Sequence, residues 1–283
     1  ASYFWTAVGS VADKVPMIGM NRILVRYALE HFYEIQDDTV EFLLRNYNRI
    51  NTLSDINSFL QYTAHLLANG RDVKGRHTAL RFILQLSDAK ADLFQELENQ
   101  KNKWDSDLNR VFNFLDTLAA DFVGNWFVYY DDEDIIPYPL LGTAATYILN
   151  KLNIPTLLLK SHNGDTVCEG RCSEGFNIMD AFTHCKKYLK QFGGHPKAAG
   201  FTMQQENYDT FLDCFNNFLL KHFHPSHTAS TKYDAVVAAK DINRENWQKL
   251  EILLPWGQLN PEPTLLIRNT SKAEIMNYVA LDN

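Results

Sequence analysis

The residues with the clearest capacity for chemistry lie in one stretch, Gly193-Gly194-His195-Pro196-Lys197-Ala198-Ala199-Gly200-Phe201. Two successive glycines let the backbone take positive φ and bring its N–H groups against an anion. His195 adds a ring donor and, when protonated, a charge. Ala198, Ala199 and Gly200 are small enough to pack closely beneath such a loop. The chemistry this suits is the gripping of a phosphate. A second element stands upstream, Glu169-Gly170-Arg171-Cys172-Ser173, where an Arg at a strand end beside Gly and Ser suits the same contact. Lys186, Lys187, Lys190 and Lys197 gather around the glycines as a local basic patch. Each feature has a plain structural alternative: a Gly-rich turn with a satisfied His, an idle surface Arg, a solvated helix face.

Elements on both sides must hold these residues. Past Gly124 the pattern predicts strands at Trp126–Tyr130 and Thr156–Lys160, with a helix at Leu140–Leu152 between them. A turn at His162-Asn163-Gly164-Asp165 leads into a strand from Thr166 to Cys168. Helices are expected at Ile178–Phe192 and Tyr208–Phe223, with Gly193-Gly194-His195 as a loop between them. Alternating strands and helices imply an α/β domain. Earlier in the chain, Tyr3 to Val8 reads as a buried strand, followed by helices at Asn21–Phe32, Asp37–Tyr47 and Ser54–Leu67. Asn69-Gly70-Arg71 closes the last of these. A helix at Thr78–Leu86 precedes a long one capped by Ser87 or Asp88. In it Leu93, Leu97, Trp104, Leu108, Val111, Leu115 and Leu118 form a heptad-like seam. At about 30 residues it exceeds the globular average and could link two domains. A final strand-helix-strand piece, Ala235 to Ile267, carries a Pro/Gly-rich turn at Pro255 to Pro263.

Composition limits what such a chain does. Its 283 residues suit two modest domains, and 46% hydrophobic with 22% charged is ordinary globular usage. No apolar run approaches the ~20 residues that span a bilayer, so no membrane role is expected. The first residues show no basic segment followed by an apolar stretch, and there is no initiator Met, as in a processed or excised chain. The net charge of −7 means that bulk electrostatics would not draw the chain onto nucleic acid; a local groove would have to do so. Cys168, Cys172, Cys185 and Cys214 are expected to be reduced thiols in a cytoplasmic protein. The acid run Asp131 to Asp134 reads as a solvated loop. Trp256, beside a turn, is core by default, with base stacking as the alternative.

The spacing of Gly170-Arg171-x-Ser173, Gly175-Phe176 and Gly193-Gly194-His195-x-x-Ala198-Ala199-Gly200-Phe201 closely resembles the DHHA1 domain, the second half of DHH-family phosphoesterases. Pro139-Leu140-Leu141-Gly142 to Leu152, then Ile154-Pro155-Thr156, resembles that domain's opening helix and strand. Gly9-Ser10-Val11-Ala12-Asp13-Lys14-Val15-Pro16-Met17, with Asn21-Arg22, resembles the last metal motif of the DHH domain in the RecJ branch. Asn69-Gly70-Arg71 resembles a cleft-facing turn of RecJ-like proteins. Pro255-Trp256-Gly257-x-x-Asn260-Pro261-x-Pro263 resembles their lead into an OB-type domain.

The resemblance implies four parts: the C-terminal part of a DHH-type domain at 1–86, a linking helix at 87–120, a substrate-binding DHHA1 domain at 121–225, and the start of an OB-like module at 226–283. The activity it implies is 5′ to 3′ exonucleolytic hydrolysis of single-stranded DNA, or RNA, with Mn²⁺ or Mg²⁺ as cofactor. Replication or repair proteins are the implied partners. Arg171 and Ser173 would hold phosphate, Gly193 and Gly194 would donate backbone N–H, and His195 would donate from its ring as the catalytic group. Asn69 and Arg71 would add substrate contacts, and Asp13 would hold metal. No Asp-His-His occurs anywhere in the chain, and no earlier Asp motif precedes Asp13. Two-metal hydrolysis needs several ligands holding ions roughly 3.5–4 Å apart, so the chain alone is expected to be inactive. It would be a fragment, one half of a split protein, or a homologue that has lost catalysis. The other readings are a catalytically inactive RecJ-like replisome scaffold and a phosphodiesterase acting on oligonucleotides or cyclic dinucleotides.

Overall fold

The computed structural model describes residues 2–47, 50–70, 77–84, 89–223 and 233–268. They divide into two compact units. One comprises the described residues up to Trp104 together with 233–268; the other runs from Asp105 to Phe223.

In the first unit, α1 (Ser2–Ala12), α2 (Gly19–Glu30), α3 (Asp38–Arg45), α4 (Leu53–Ala68) and α5 (Thr78–Leu84) surround one core. The strand expected at Tyr3–Val8 is instead α1. Its aromatic and β-branched residues favour a strand locally, but Phe4, Ala7 and Val8 recur at helical spacing and all three are buried. Phe4 packs on Phe32 and Phe59, and helix burial outweighs propensity. The other helices begin where side chains cap them. Asp37 accepts from the Thr39 and Val40 amides at the start of α3, and Thr52 with Asp55 forms a capping box on α4. The late residues return to this unit. Arg22 donates to the Leu253 carbonyl (2.9 Å), Arg26 to that of Glu251 (2.7 Å), and the Met17 amide to that of Gln258 (2.6 Å). They hold a small piece built of β6 (Ala235–Val237), α10 (Arg244–Leu250) and β7 (Leu265–Ile267). Here β6 and β7 are numbered after the five strands of the second unit and pair in parallel.

A continuous helix, α6 (Lys90–Ala120), contains the division between the units. The residues expected to cap it, Ser87 and Asp88, lie outside the described residues.

The second unit is an α/β domain, as expected. Its five strands are β1 (Phe127–Asp131), β2 (Thr156–His162), β3 (Asp165–Arg171), β4 (Gln191–His195) and β5 (Ala198–Met203), in the order β1-β2-β3-β5-β4. Only β1 and β2 are parallel, and they are joined through α7 (Leu141–Leu152). The β2–β3 hairpin turns at Asn163 and Gly164, both at positive φ (52° and 83°), the geometry that matches strand twist. One sheet face is closed by α8 (Ile178–His184) and α9 (Tyr208–His222), which pack Phe182, Phe211 and Phe215 against Cys168, Phe201 and Met203. The other face carries α7 over β2 and β3.

Two sequence expectations fail here. The helix expected at Ile178–Phe192 stops at His184, and Gly193-Gly194-His195 is the end of strand β4 rather than a loop. Glycines are poor helix formers, and Gln191–His195 pairs residue for residue with the strictly alternating β5. Cys185 and Cys214, expected as reduced thiols, form a disulfide between α8 and α9, with their Cα atoms 5.9 Å apart. Their helices pack side by side, which brings Cys185 and Cys214 within bonding range.

Candidate functional site

Antiparallel register decides which residues share a face. On the α7 side of the sheet three cross-strand rows run over β3, β5 and β4: Val167, Thr202 and Gln191; then Glu169, Gly200 and Gly193; then Arg171, Ala198 and His195. The middle row has a single side chain, that of Glu169. The result is a trough of about 250 Å³ floored by Gly193 and Gly200, with Tyr138 and Leu141 of the α7 approach on its wall. The row of Arg171, Ala198 and His195 stands next to this floor and outside the trough's lining, with the Arg171 and His195 backbones two strand spacings, about 10 Å, apart. Ala198 between them is too small to block the gap.

Local contacts fix this row. The β4–β5 turn, Pro196-Lys197, is pinned to the segment after β3: the Cys172 amide donates to the Lys197 carbonyl (3.0 Å) and the Ile178 amide to that of Pro196 (2.9 Å). Asn177 caps α8 just before that second contact. His195 is exposed at the end of the edge strand, where every second N–H of β4 faces away from the ladder. Gly194 lies on the opposite face at φ 142°; a Cβ there would come within 2.5 Å of the Ala198 carbonyl oxygen, so glycine is required. Gly193 has open space where a Cβ would go.

Arg171 is held on three sides. Its Nη1 donates to Glu169 Oε2 (2.9 Å) and to the Gly170 carbonyl (2.8 Å), and its Nε donates to Thr146 Oγ1 on α7 (3.2 Å). Its Nη2 lies against Gly142, where a Cβ would be 2.6 Å away. A side chain at Gly142 would therefore have to displace the guanidinium from this position. Beneath the sheet, burial pushes the Cys168 thiol well above its usual range, with the Glu169 charge adding to this. Burial raises the Cys172 thiol as well.

Of the expected site residues, Gly193 lines the trough, while Arg171 and His195 share the neighbouring cross-strand row outside its lining. Ser173 is half-buried two residues past β3 and is not part of the lining. Two of the four lysines of the basic patch are neutralised: Lys190 pairs with Asp165, and Lys197 with Glu174 (3.0 Å). Asn69 belongs to the other unit, where its side-chain amide donates to the His65 carbonyl (2.9 Å) at the end of α4. Arg71 lies outside the described residues. Asp13 is exposed in the turn that closes α1. Among the described residues no group of three or more His, Cys, Asp or Glu side chains is set to hold a metal, so the donors present do not fit a two-metal centre.

The sequence reading missed Glu169, Gly142 and Thr146 as a set. Gly142 carried a signal, because a glycine early in a helix usually has a packing reason. The acid run is solvated as expected at Asp132, Glu133 and Asp134, and departs from that reading only at Asp131. Asp131 is buried, accepts from the Ile135 and Ile136 amides (2.9 and 2.8 Å) and pairs with buried Lys160 (3.2 Å). A lone Lys in the apolar strand Thr156–Lys160 was the available clue, since a buried Lys requires a partner.

The DHHA1 domain model matches residues 124–221. The chain is 24% identical over 277 residues to the single-stranded-DNA-specific exonuclease RecJ of Bacillus subtilis, covering 93% of this chain and 34% of that protein. It is 23% identical to the RecJ of Haemophilus influenzae, covering 91% of this chain and 47% of the relative. It therefore spans between a third and half of the length of these relatives. RecJ of Thermus thermophilus in complex with Mn²⁺ superposes with a TM-score of 0.72 at 20% identity, over 94% of this chain and 40% of that one. Residues 124–221 are thus a DHHA1 domain, and the chain as a whole is similar in sequence and fold to RecJ-like DHH/DHHA1 proteins.

Proposed function

We propose that this chain carries the strand-gripping part of a RecJ-type nuclease, with the trough as its seat for the phosphates of single-stranded DNA. One observation carries the reading: Arg171 and His195 stand in one cross-strand row, next to the row in which Gly200 and Gly193 leave the sheet bare beside Glu169. A phosphate resting there meets exposed edge-strand N–H groups, an imidazole donor and a guanidinium already set in orientation. Such contacts position a strand without reading its sequence. The full activity on this reading is exonucleolytic hydrolysis, 5′ to 3′, with water activated by Mn²⁺ or Mg²⁺ on ligands that the described residues do not assemble. Asp13 is the residue of this chain offered to that metal, and Asn69, Arg71 and Ser173 remain outlying candidates for strand contact.

A replisome-scaffold reading has one observation in its favour: Arg171, Lys190 and Lys197 all have acidic partners within the chain. The same experiment separates the two. Fluorescence anisotropy with a labelled single-stranded DNA should show Arg171→Ala and His195→Ala weakening binding by roughly tenfold each, as loss of a charge-assisted contact does. The Arg171→Ala variant should also lower the salt slope by about one. Affinities unchanged in both variants would overturn the strand-gripping reading.

A further inference from the structure

Tyr138 is the residue that the trough shares with a second cavity. That cavity, of about 510 Å³, is lined by Asp131, Asp132, Asp134 and His162 among others, and Tyr138 forms part of both walls. The ring is 47% exposed although it lies between Pro137 and Pro139, in the short 3₁₀ turn that opens α7. Proline on each side restricts the backbone, so the ring is presented in a set direction. His162 backs it face to face, with centroids 4.0 Å apart and planes 8° apart. A flat, half-exposed, internally supported aromatic ring beside a phosphate seat is what an unpaired base stacks upon.

The chemistry of the second cavity says which part of a nucleotide enters it. Its one cation, Lys160, is 4% exposed and occupied by Asp131, Asp134 and the Ile136 carbonyl. Asp132 and Asp134 face solvent beside it. A wall of this charge repels phosphate and accepts from N–H groups, and an unpaired base presents such donors on its Watson–Crick edge, thymine N3–H among them.

We infer that Tyr138, supported by His162, is a stacking platform for the base adjoining the phosphate held over Gly193 and Gly200. The inference rests on the strand-gripping reading above and deepens it: the bound group is a nucleotide whose base stacks on the Tyr138 face that His162 leaves open. Trp256, core by default in the sequence with stacking as the alternative, packs against the core of the first unit.

The test uses the whole chain and two 3′-labelled, 5′-phosphorylated trinucleotides of equal charge, one of thymidines and one of abasic sugar phosphates. Wild type should bind the thymidine strand about tenfold more tightly, the scale of one base–aromatic stack. Tyr138→Ala should narrow the difference to about twofold or less, and Tyr138→Phe should keep it, because the face rather than the hydroxyl does the stacking. Equal binding of the two strands by wild type, or an undiminished preference in Tyr138→Ala, overturns the platform while leaving the phosphate seat standing. Failure of wild type to bind either strand overturns the strand-gripping reading and the platform with it.

Discussion

The sharpest perturbation of the trough is a single methyl group, Gly193→Ala. A Cβ at Gly193 meets nothing within 4 Å, and its φ is outside the left-handed region, so the fold accepts alanine without strain. Replacing glycine at a compatible site also restricts the unfolded chain, by about 0.4–1 kcal/mol. The melting temperature should therefore hold or rise by a few degrees at most. Binding should respond differently. A phosphate oxygen hydrogen-bonded to a strand N–H sits about 2.9 Å from the nitrogen, whereas a methyl carbon holds neighbouring atoms at about 3.5 Å or more. The methyl stands on the floor where the phosphate would rest, so it lifts that oxygen out of reach. One charge-assisted hydrogen bond is then lost, about 1.5–3 kcal/mol, or roughly tenfold to a hundredfold in affinity. Anisotropy with labelled single-stranded DNA measures the second quantity and calorimetry the first. Gly194→Ala is the contrasting variant. Its φ of 142° and the 2.5 Å approach to the Ala198 carbonyl make it a stability lesion on the opposite face, worth about 1–3 kcal/mol of strain. Should Gly193→Ala keep both its melting temperature and its DNA affinity, the phosphate does not lie over the glycine floor and the reasoning is wrong.

Two further outcomes concern titratable groups. Native protein at pH 8 should leave Cys168 and Cys172 unmodified by a thiol reagent, since both are buried and both thiols are raised by burial; denatured protein should titrate two thiols without reductant and four with it, whereas four without reductant would refute the Cys185–Cys214 bond. For the Asp37 carboxyl, burial alone would raise the pKa. The Trp5 indole N–H, the Val40 and Thr39 amides and the Lys90 charge outweigh it and bring the pKa below the usual carboxylate range. A depressed folded pKa contributes stability that is present above the unfolded value near 3.9 and lost as the pH falls through the folded one. The melting-temperature advantage of wild type over Asp37→Asn should therefore shrink between pH 6 and pH 3, and a constant difference would refute the assignment.

How much was legible follows the range of the interactions. Helices with apolar faces and local caps were readable, because Asp37 and the Thr52–Asp55 pair sit next to what they cap. The β2–β3 turn was readable from Asn163-Gly164 alone. What failed depended on partners far away in sequence. Ser2–Ala12 is a helix because Phe4 packs on Phe59, fifty-five positions on. Gln191–His195 is a strand because β5 pairs with it. The site divides in the same way. Arg171 and His195 were legible as types, but their placement in one row depends on the β3–β5–β4 register, and no feature of either motif states that register. Glu169 was passed over because a single acidic residue carries no spacing signal.

Glu169 also reconciles a chain of net charge −7 with a nucleic-acid reading. If affinity came from counting cations, this surface would be a poor candidate, because Arg171, Lys190 and Lys197 are each already paired. Pairing is not the same as withdrawal, however. The Arg171–Glu169 contact leaves the Arg171 side chain 19% exposed and fixes its orientation together with Thr146 and the Gly170 carbonyl. A preset donor loses less side-chain entropy on binding than a free arginine. On the strand-gripping reading the Glu169 carboxylate would make the seat demanding: a phosphate would have to align with the guanidinium and the β4 edge while standing clear of a neighbouring negative charge. Long-range attraction is therefore weak and short-range geometry decides. A seat of this kind would hold a strand delivered to it by other parts of a larger protein and discriminate by fit, whereas a broadly basic surface would collect nucleic acid of any shape.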